Sequence, residues 1–315
     1  MRPVSVFALL AVTISVGAAA GRPAPPRAPS WPPGRGDSLA LRIRERVAAV
    51  PGARVAVAFR DLATPDTLYL DADTSFHAAS TMKVPVLVEL FRAAERGAVR
   101  LDDSLLLVNR FASIVDGSPY ELGAGDDSDS SLYARVGTRV PVRELAERMI
   151  VRSSNLATNA LIPLVGGDAV TRTMRALGAS RIVVRRGVED GPAYARGLSN
   201  TTTARDLAIV LAAIERGTAA SRASCDSMRA ILLRQEFNRE IPAGLPPGTR
   251  VAHKTGSITA TLHDAAIVYP PGRAPYVLVV LTGGIADARV ARALIADVAR
   301  LVHAHATGAT TAAAR

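Results

Sequence analysis

Strand-like segments lie near both ends of this 315-residue chain, and the long stretch between them has mostly helical patterns. Five segments are rich in strand-forming residues bounded by turns: 54–60, 67–70, 250–255, 265–269 and 276–281. The fourth of these is followed by the turn 270–273, and Gly256 is expected to break the third. We therefore predict an α+β fold, in which one five-stranded antiparallel sheet is built from both chain ends. A helical subdomain of about residues 80–217 is inserted, and a ligand site is expected in the cleft between the two parts.

Apolar residues recur at helical spacing in several of the intervening segments. The predicted helices are the segments starting near residue 39 and at 81, then 142–152, 156–165, 207–215, 224–233 and 286–303. The polar, acidic stretch 123–131 has no such spacing. Its aspartates suggest calcium, but it lacks the later ligands of a calcium loop, so a solvated loop is the favoured interpretation.

Ser80 and Lys83 stand at the start of the second of these helices, one turn apart. A serine hydroxyl is a poor nucleophile unless a neighbouring group takes its proton. A lysine can do this when burial or a nearby cation lowers its pKa. The unpaired N–H groups of a first helical turn can also bind an oxyanion. A serine and a lysine at this spacing also occur by chance, so the pair alone is a weak signal.

Composition strengthens the interest of Lys83. Lysine and arginine together number 38, yet only Lys83 and Lys254 are lysines. Arginine stays protonated in proteins, whereas lysine can lose its proton, so a lysine retained in this chain is a candidate for chemistry. The arginines are interspersed with acids, and the formal net charge of +10 is interpreted as a solvated surface, so no nucleic-acid partner is expected. The single cysteine, Cys225, excludes an intramolecular disulfide, and no metal or cofactor is predicted.

The N-terminal residues predict export. A short basic start, an apolar run over 4–16 and small residues at 18–20 form the pattern of a secretory signal peptide, covering residues 1–20. An uncleaved anchor is the alternative. Residues 21–37, with six prolines before Gly36, are expected to form a disordered linker. The folded domain is predicted over 38–304, followed by a disordered tail at 305–315. We expect a secreted or periplasmic protein, with no membrane span after signal cleavage.

Three motifs follow one another along the chain: Ser80-x-x-Lys83, Ser153-Ser154-Asn155 and Lys254-Thr255-Gly256. In this order and spacing they resemble the motifs of class A β-lactamases and the related penicillin-binding proteins. The resemblance extends from about residue 38 to residue 303 and contains both lysines. It implies a three-layer α/β/α sandwich and a serine hydrolase that acts on cyclic amides, active as a monomer.

The resemblance also implies a role for each motif. Ser80 would be the nucleophile, Lys83 would exchange protons with it, and Ser153 would protonate the leaving nitrogen. Asn155, Lys254, Thr255, Gly256 and Ser257 would bind the substrate. The N–H groups of Ser80 and Ser257 would form the oxyanion hole.

Glu189 is the candidate for the base that activates water to release the acyl group, on a loop that starts near Arg185. A solvated loop acid is the alternative, and the neighbouring Asp190 is a second candidate because the loop is shorter than is usual in the family. Two further departures concern the same region. Asn200 stands where the family tends to have an aspartate that pairs with the equivalent of Arg186, and no clear match exists for the asparagine that helps to hold the water.

Two departures lie in the other motifs. Ser154 replaces the aspartate of the second motif. His263 replaces an arginine that helps to hold the substrate carboxylate, which puts the affinity for ordinary penicillins in doubt; His253 and His263 are expected to be packing or hydrogen-bonding residues. The leading interpretation is a secreted class A β-lactamase. The alternatives are a D-Ala-D-Ala peptidase that acts on peptidoglycan stem peptides, and a sensor that is acylated without turnover.

Overall fold

The computed structural model describes residues 35–308. The predicted signal peptide, most of the predicted linker and the end of the predicted tail lie outside the described residues. Helix α1 (Arg35–Ala48) begins before the predicted domain start at residue 38, and helix α9 (Ala288–Thr307) continues past the predicted end at residue 304. Both boundaries were therefore placed inside helices. Asp37 lies in the first turn of α1, where the helix dipole favours a negatively charged side chain.

Between these helices the chain alternates short strands with helices. The strands are β1 (Arg54–Asp61), β2 (Thr67–Leu70), β3 (Phe76–His77), β4 (Ser104–Leu106), β5 (Phe111–Ala112), β6 (Pro119–Tyr120), β7 (Arg139–Pro141), β8 (Thr201–Thr202), β9 (Arg250–Ile258), β10 (Thr261–Tyr269) and β11 (Tyr276–Gly283). The remaining helices are α2 (Lys83–Glu95), α3 (Val142–Val151), α4 (Asn155–Val165), α5 (Gly167–Ala176), α6 (Gly191–Ala195), α7 (Ala204–Arg216) and α8 (Arg222–Leu232). Short 3-10 turns cover Ala79–Met82, Ser130–Arg135 and Pro242–Gly244.

The main sheet has five strands in the order β2-β1-β11-β10-β9, and every pair is antiparallel. The N-terminal hairpin therefore joins the C-terminal strands through β1 and β11, as the sequence predicted. The other strand pairs are two-stranded ribbons of two or three residues each: β3 with β8, β4 with β7, and β5 with β6.

Both faces of the sheet are covered, because its central strands carry apolar residues on both sides. In β1, Val57 and Phe59 face a core shared with α1 and α9, whereas Ala56 and Ala58 face the core of the helical part. Successive side chains of a strand point to opposite faces, so one strand contributes to both cores. The three-layer α+β fold is confirmed.

The helical part stands on one face of the sheet, with α7 packed across β1, β10 and β11. Helix α2 is its buried centre, and it contacts α3, α4, α5 and α8. The turn before α2 lies against β9 and β10, so the first residues of this buried helix meet the edge strand of the sheet. Within residues 35–308 no helix is both long and apolar enough to cross a bilayer.

Candidate active site

Ser80 lies in the 3-10 turn that leads directly into α2. The turn is held by Thr81, whose hydroxyl donates to the carbonyl of Ala78 at 2.6 Å. The Ser80 side chain is half-buried and lines the cleft between the helical part and the sheet. Its hydroxyl has no hydrogen-bond partner within residues 35–308, so it is free to meet a ligand in the cleft.

Lys83 is the first residue of α2 and is fully buried. Its Nζ donates to three acceptors: the Ser153 carbonyl at 2.6 Å, the Ser153 Oγ at 3.2 Å and the Asn155 Oδ1 at 2.8 Å. Burial lowers the pKa of Lys83 to about 7, and the nearby carboxylates of Asp127 and Glu189 oppose this shift. A lysine with this pKa is present in both its charged and neutral forms near neutral pH, as proton exchange requires.

Lys254, on β9, approaches Ser153 from the other side. Its Nζ donates to the Ser153 Oγ at 2.9 Å and to the Thr255 carbonyl at 2.8 Å. Burial lowers the pKa of Lys254, and the charge of Lys83 lowers it further. The Ser153 hydroxyl therefore accepts hydrogen bonds from two amines, and its own proton is left for a third partner in the cleft.

Gly256 brings β9 against the turn that carries Ser80. A Cβ at this position would lie 3.1 Å from the backbone nitrogens of both Ser80 and Thr81, closer than ordinary packing allows. The strand does not break here, and that prediction was wrong: β9 continues past Gly256, which pairs with His263 of β10. The ladder keeps the strand straight, and the missing side chain serves close approach. Ser257 follows, exposed at the cleft.

Glu189 faces the same amide that contacts Lys83. The Nδ2 of Asn155 donates to the Glu189 Oε1 at 2.6 Å, while the Oδ1 of Asn155 accepts from Lys83. Loss of surrounding water raises the pKa of Glu189; the bond from Asn155 opposes the shift, and the carboxylates of Asp127 and Asp126 add to it. A carboxylate with a raised pKa is a stronger base than an ordinary glutamate.

Asp190 is held away from the cleft, although it neighbours Glu189 in sequence. Its carboxylate accepts from the Ser113 hydroxyl at 2.8 Å, from the Ile114 N–H at 2.9 Å and, as the cap of α6, from the Ala193 N–H at 3.1 Å. Burial by itself raises the pKa of Asp190, but these hydrogen bonds stabilise the charged carboxylate and outweigh burial, so the pKa is lowered. Of the two acids considered from the sequence, only Glu189 is directed toward the Lys83 side of the site.

The loop that carries Glu189 is closed by amides. Asn200 accepts from the N–H groups of Arg185 and Arg186 at 2.8 and 3.3 Å, and donates to the Arg186 carbonyl at 2.9 Å. Asn159, on α4, accepts from the Val188 N–H at 2.7 Å and donates to its carbonyl at 3.0 Å. Two asparagines thus hold both sides of the loop through its backbone.

Unusual backbone conformations concentrate at these residues. Positive φ values occur at Ala79, directly before Ser80, at Ser153 and at Glu189, with φ of 47°, 56° and 60°. Only two other non-glycine residues of the described chain, Asp71 and Ala260, share this feature. Conformations of this kind cost about 1–3 kcal/mol each and persist where the surrounding structure enforces them, commonly at active sites.

Ser80, Ser153 and Asn155 line a cleft of about 740 Å³ together with residues 255–257 of β9, and the cleft is large enough for a small organic ligand. The cleft has a free serine hydroxyl and the Ser153 hydroxyl, which two buried amines contact from behind, and the Glu189 carboxylate contacts Asn155. The chemistry this set supports is acyl transfer: nucleophilic attack on a carbonyl, with proton relays on both sides.

Comparison with known proteins agrees with this chemistry. The model of the family described as "Beta-lactamase enzyme family" matches residues 38–306. The chain belongs to this family. The β-lactamase AST-1 of Nocardia asteroides is 32% identical over 256 residues, covering 80% of this chain and 78% of AST-1.

Solved structures give the class. A class A β-lactamase of the last common ancestor of Gram-negative bacteria is 28% identical with a TM-score of 0.71, covering 85% of this chain and 98% of that chain. PBP-A is 29% identical with a TM-score of 0.73, covering 84% of this chain and 94% of PBP-A. The chain is therefore a serine hydrolase of the class A β-lactamase type, as its motifs predicted.

His263, which replaces an arginine common in the family, does not face the cleft as a cation. It is fully buried, and burial lowers its pKa to about 4. Its Nε2 lies 2.9 Å from the His77 carbonyl oxygen, and its Nδ1 lies 2.8 Å from the Leu262 carbonyl oxygen and 3.2 Å from the Thr282 nitrogen. Two other arginines, Arg239 and Arg292, line the cleft of this β-lactamase-family enzyme, and the sequence alone did not mark them.

Most of the acidic stretch 123–131 is exposed, as expected of a solvated loop, but two of its aspartates are buried. Asp127 and Asp129 are only 7% and 2% exposed. Asp129 binds Arg148 at 2.8 Å, and Asp127 contacts the start of α4 beside Asn155. The composition of the stretch gave no sign of this, because burial of an acid depends on donors supplied from distant parts of the chain.

Proposed function

We propose that this enzyme hydrolyses β-lactams in two steps, through an acyl group carried on Ser80. The observation that carries the proposal is the chain of contacts Lys83–Asn155–Glu189 beside the free Ser80 hydroxyl. It supports a separate base for each step, Lys83 for acylation and Glu189 for release of the acyl group.

In the first step the Ser80 Oγ attacks the lactam carbonyl carbon, and its proton passes to Lys83. The lactam C–N bond then breaks, and Ser153 gives its proton to the leaving nitrogen, taking a replacement from an adjacent amine. The hydrogen bonds from Lys83 and Lys254 to the Ser153 Oγ support this relay. The N–H groups of Ser80 and Ser257 stabilise the oxyanion.

Substrate binding is assigned to the β9 edge and Asn155. Thr255 and Ser257 bond the substrate carboxylate, Lys254 supplies a positive charge nearby, and Gly256 leaves room for the ligand backbone. Asn155 bonds the substrate side-chain amide. With His263 neutral, the carboxylate relies on this edge rather than on an arginine at that position.

In the second step Glu189 takes a proton from water, and the resulting hydroxide attacks the acyl carbonyl. The ester bond to Ser80 breaks, and the proton held by Glu189 passes to the Ser80 oxygen. The product leaves with a carboxyl group that has one oxygen from the original carbonyl and one from water. The raised pKa of Glu189 and its bond to Asn155 support this role.

A D-Ala-D-Ala peptidase on stem peptides is the second candidate. The likeness to PBP-A favours it. A mutant of PBP-A that is 29% identical to this chain was solved as an acyl-enzyme complex with penicillin G, in which the acyl group is still bound to the enzyme. The same nucleophile serves both activities. They differ in whether the lactam acyl group is released.

We also propose that the protein acts outside the cytoplasm. The support is the signal-peptide pattern of residues 1–20, together with the family to which the chain belongs. Cell fractionation with an antibody, alongside N-terminal sequencing of the mature protein, tests this. An intact N-terminus in the cytoplasmic fraction would contradict it.

Intact-mass spectrometry after mixing with penicillin G tests the function. We expect a transient adduct that returns to the free mass as penicillin is consumed, and no adduct on Ser80→Ala. A lasting adduct on the unmodified enzyme would favour the peptidase or the non-turning-over sensor, and hydrolysis of a D-Ala-D-Ala peptide would separate those two. An adduct that persists on folded Ser80→Ala would place the nucleophile elsewhere.

A further inference from the structure

Asp127 gathers four donors at one carboxylate oxygen. Its Oδ2 accepts from the N–H groups of Asn155 and Leu156, each at 2.9 Å, from the Tyr133 hydroxyl at 3.2 Å and from the Ser154 hydroxyl at 3.4 Å. The side chain is almost fully buried. These hydrogen bonds fix the position of the carboxylate and of the four groups that donate to it.

Its backbone partners are the first two residues of α4. The next N–H, that of Ala157, is satisfied by the Ser154 Oγ at 3.2 Å, so Asp127 and Ser154 together cap the helix start. A negative charge at a helix N-terminus is also favoured by the helix dipole. Ser154 stands where the family motif has an aspartate, and the carboxylate at this helix start comes from a different loop.

The capped residue, Asn155, connects the two bases of the proposed reaction, since its amide contacts both Lys83 and Glu189. Ser153, directly before the cap, holds a positive φ of 56° and contacts both lysines. An error in the position of this helix start would therefore displace the proton relays of both steps.

We propose that Asp127 is a positioning residue for the reaction: it fixes the Ser153–Asn155 segment and supplies a fixed negative charge beside Lys83. The inference rests on the proposed function. Asp127 is a loop residue that belongs to none of the three motifs. Asp127 and Ser154 together form a two-part cap at the start of α4.

The charge has a measurable consequence. The groups that face Lys83 are Asp127, Glu189 from its loop and Lys254 from β9. Removing the Asp127 charge leaves Lys83 with less anionic compensation, so the protonated amine becomes less favourable and its pKa falls. Because Lys83 acts when neutral, acylation should then persist to lower pH.

Asp127→Asn separates charge from capping. The amide oxygen still accepts the backbone N–H groups of Asn155 and Leu156, while the charge is gone. We expect the variant to stay folded and the acid limb of its acylation profile to move to lower pH by about half a unit or more. The rate is that of Ser80 labelling by a fluorescent penicillin, measured from about pH 5 to about pH 9.

Asp129→Asn is the matched control. Asp129 is buried in the same loop, but its carboxylate binds Arg148 and Ser131 and does not contact the second motif. It should lower the melting temperature without moving the acid limb. An acid limb that is unchanged in Asp127→Asn, or that moves equally in both variants, would overturn the role of the charge.

A swap tests the positioning. Ser154→Asp brings a second carboxylate against Asp127, so we expect the rate of Ser80 labelling to fall by about tenfold or more. Asp127→Ser alone should also lower the rate. The double variant, Asp127→Ser with Ser154→Asp, should recover part of the rate that Asp127→Ser alone loses. Losses that simply multiply in the double variant would overturn the two-part cap. The native enzyme is the reference throughout. If Ser80 of the native enzyme is never labelled, both the proposed function and this inference fail. If the native enzyme is labelled and the variants are labelled at the same rate and with the same pH profile, only this inference fails.

Discussion

At the scale of single residues, the two lysines define what this cleft can do. Both are fully buried, and each is surrounded by acceptors rather than by a full ion pair. Burial without a matched partner disfavours the charged form, so the pKa of each amine lies below that of a solvated lysine. Arginine at either position would keep its charge and bring a planar, larger group into a site built for an amine.

We expect Lys83→Arg to be nearly as damaging as Lys83→Ala. Both should lower the rate of Ser80 acylation by on the order of 10² or more, because neither side chain can accept the serine proton. In the native enzyme the acylation rate should rise with pH through about 7, where Lys83 loses its proton. Stopped-flow labelling across pH measures both effects. Retention of most of the rate in Lys83→Arg would reduce Lys83 to an electrostatic anchor.

The residues of the three motifs could be found from the sequence, because their residue types and spacing indicate their chemistry. Ser80 and Ser153 line one cleft, and Lys83 and Lys254 both contact the Ser153 hydroxyl. Asp127 could not be found this way. Its partners come from α4 and from Tyr133, and no local pattern marks an acid whose donors lie elsewhere in the chain.

At the scale of elements, the Glu189 loop is held by amide side chains where the family tends to have an ion pair. Asn200 cannot form an ion pair with Arg186, yet its amide both accepts from and donates to the loop backbone. Asn159 does the same from α4. Buried hydrogen bonds to backbone groups replace the charge pair, and the loop is still able to present Glu189 with a positive φ.

Glu189→Gln should still be acylated by penicillin but should release the acyl group more slowly by on the order of 10²–10⁴, the usual cost of losing a general base. The mass spectrum would then show an adduct that the native enzyme does not accumulate. Asp190→Asn is the control, because asparagine also caps helices and Asp190 faces away from the cleft. Normal release by Glu189→Gln with slow release by Asp190→Asn would move the role by one residue.

Elements whose sequence pattern agreed with their surroundings were predicted well, and those shaped by tertiary contacts were not. The strand β2 has the predicted bounds, and α3 and α7 differ from prediction only at their ends. Gly256 suggested a break in β9, but pairing along the whole length of β10 decided the conformation. The local preference of one glycine is worth about 1 kcal/mol, less than a continuous ladder provides.

At the scale of the whole molecule, the sheet separates two apolar cores. One, on the side of α1 and α9, contains Leu39 and Ile43 and lies across the sheet from the helical part. The other surrounds α2 and so supports the site directly. Because the chain ends build the sheet and the middle builds the helical part, the cleft forms only when distant segments have met. This topology followed from the order of strand and helix patterns alone.

The separation predicts that stability and catalysis can be changed independently. Ile43 is fully buried in α1, so Ile43→Ala should lower the free energy of unfolding by about 2–5 kcal/mol. Its matched control is Leu41→Ala on the same helix, where the side chain is 54% exposed and the cost should stay within about 0.5 kcal/mol. Urea unfolding measures both. Under conditions where each variant is folded, penicillin turnover should equal that of the native enzyme, because the removed atoms lie on the opposite face of the sheet from Ser80. A loss of turnover in folded Ile43→Ala would mean that the sheet transmits packing changes to the cleft.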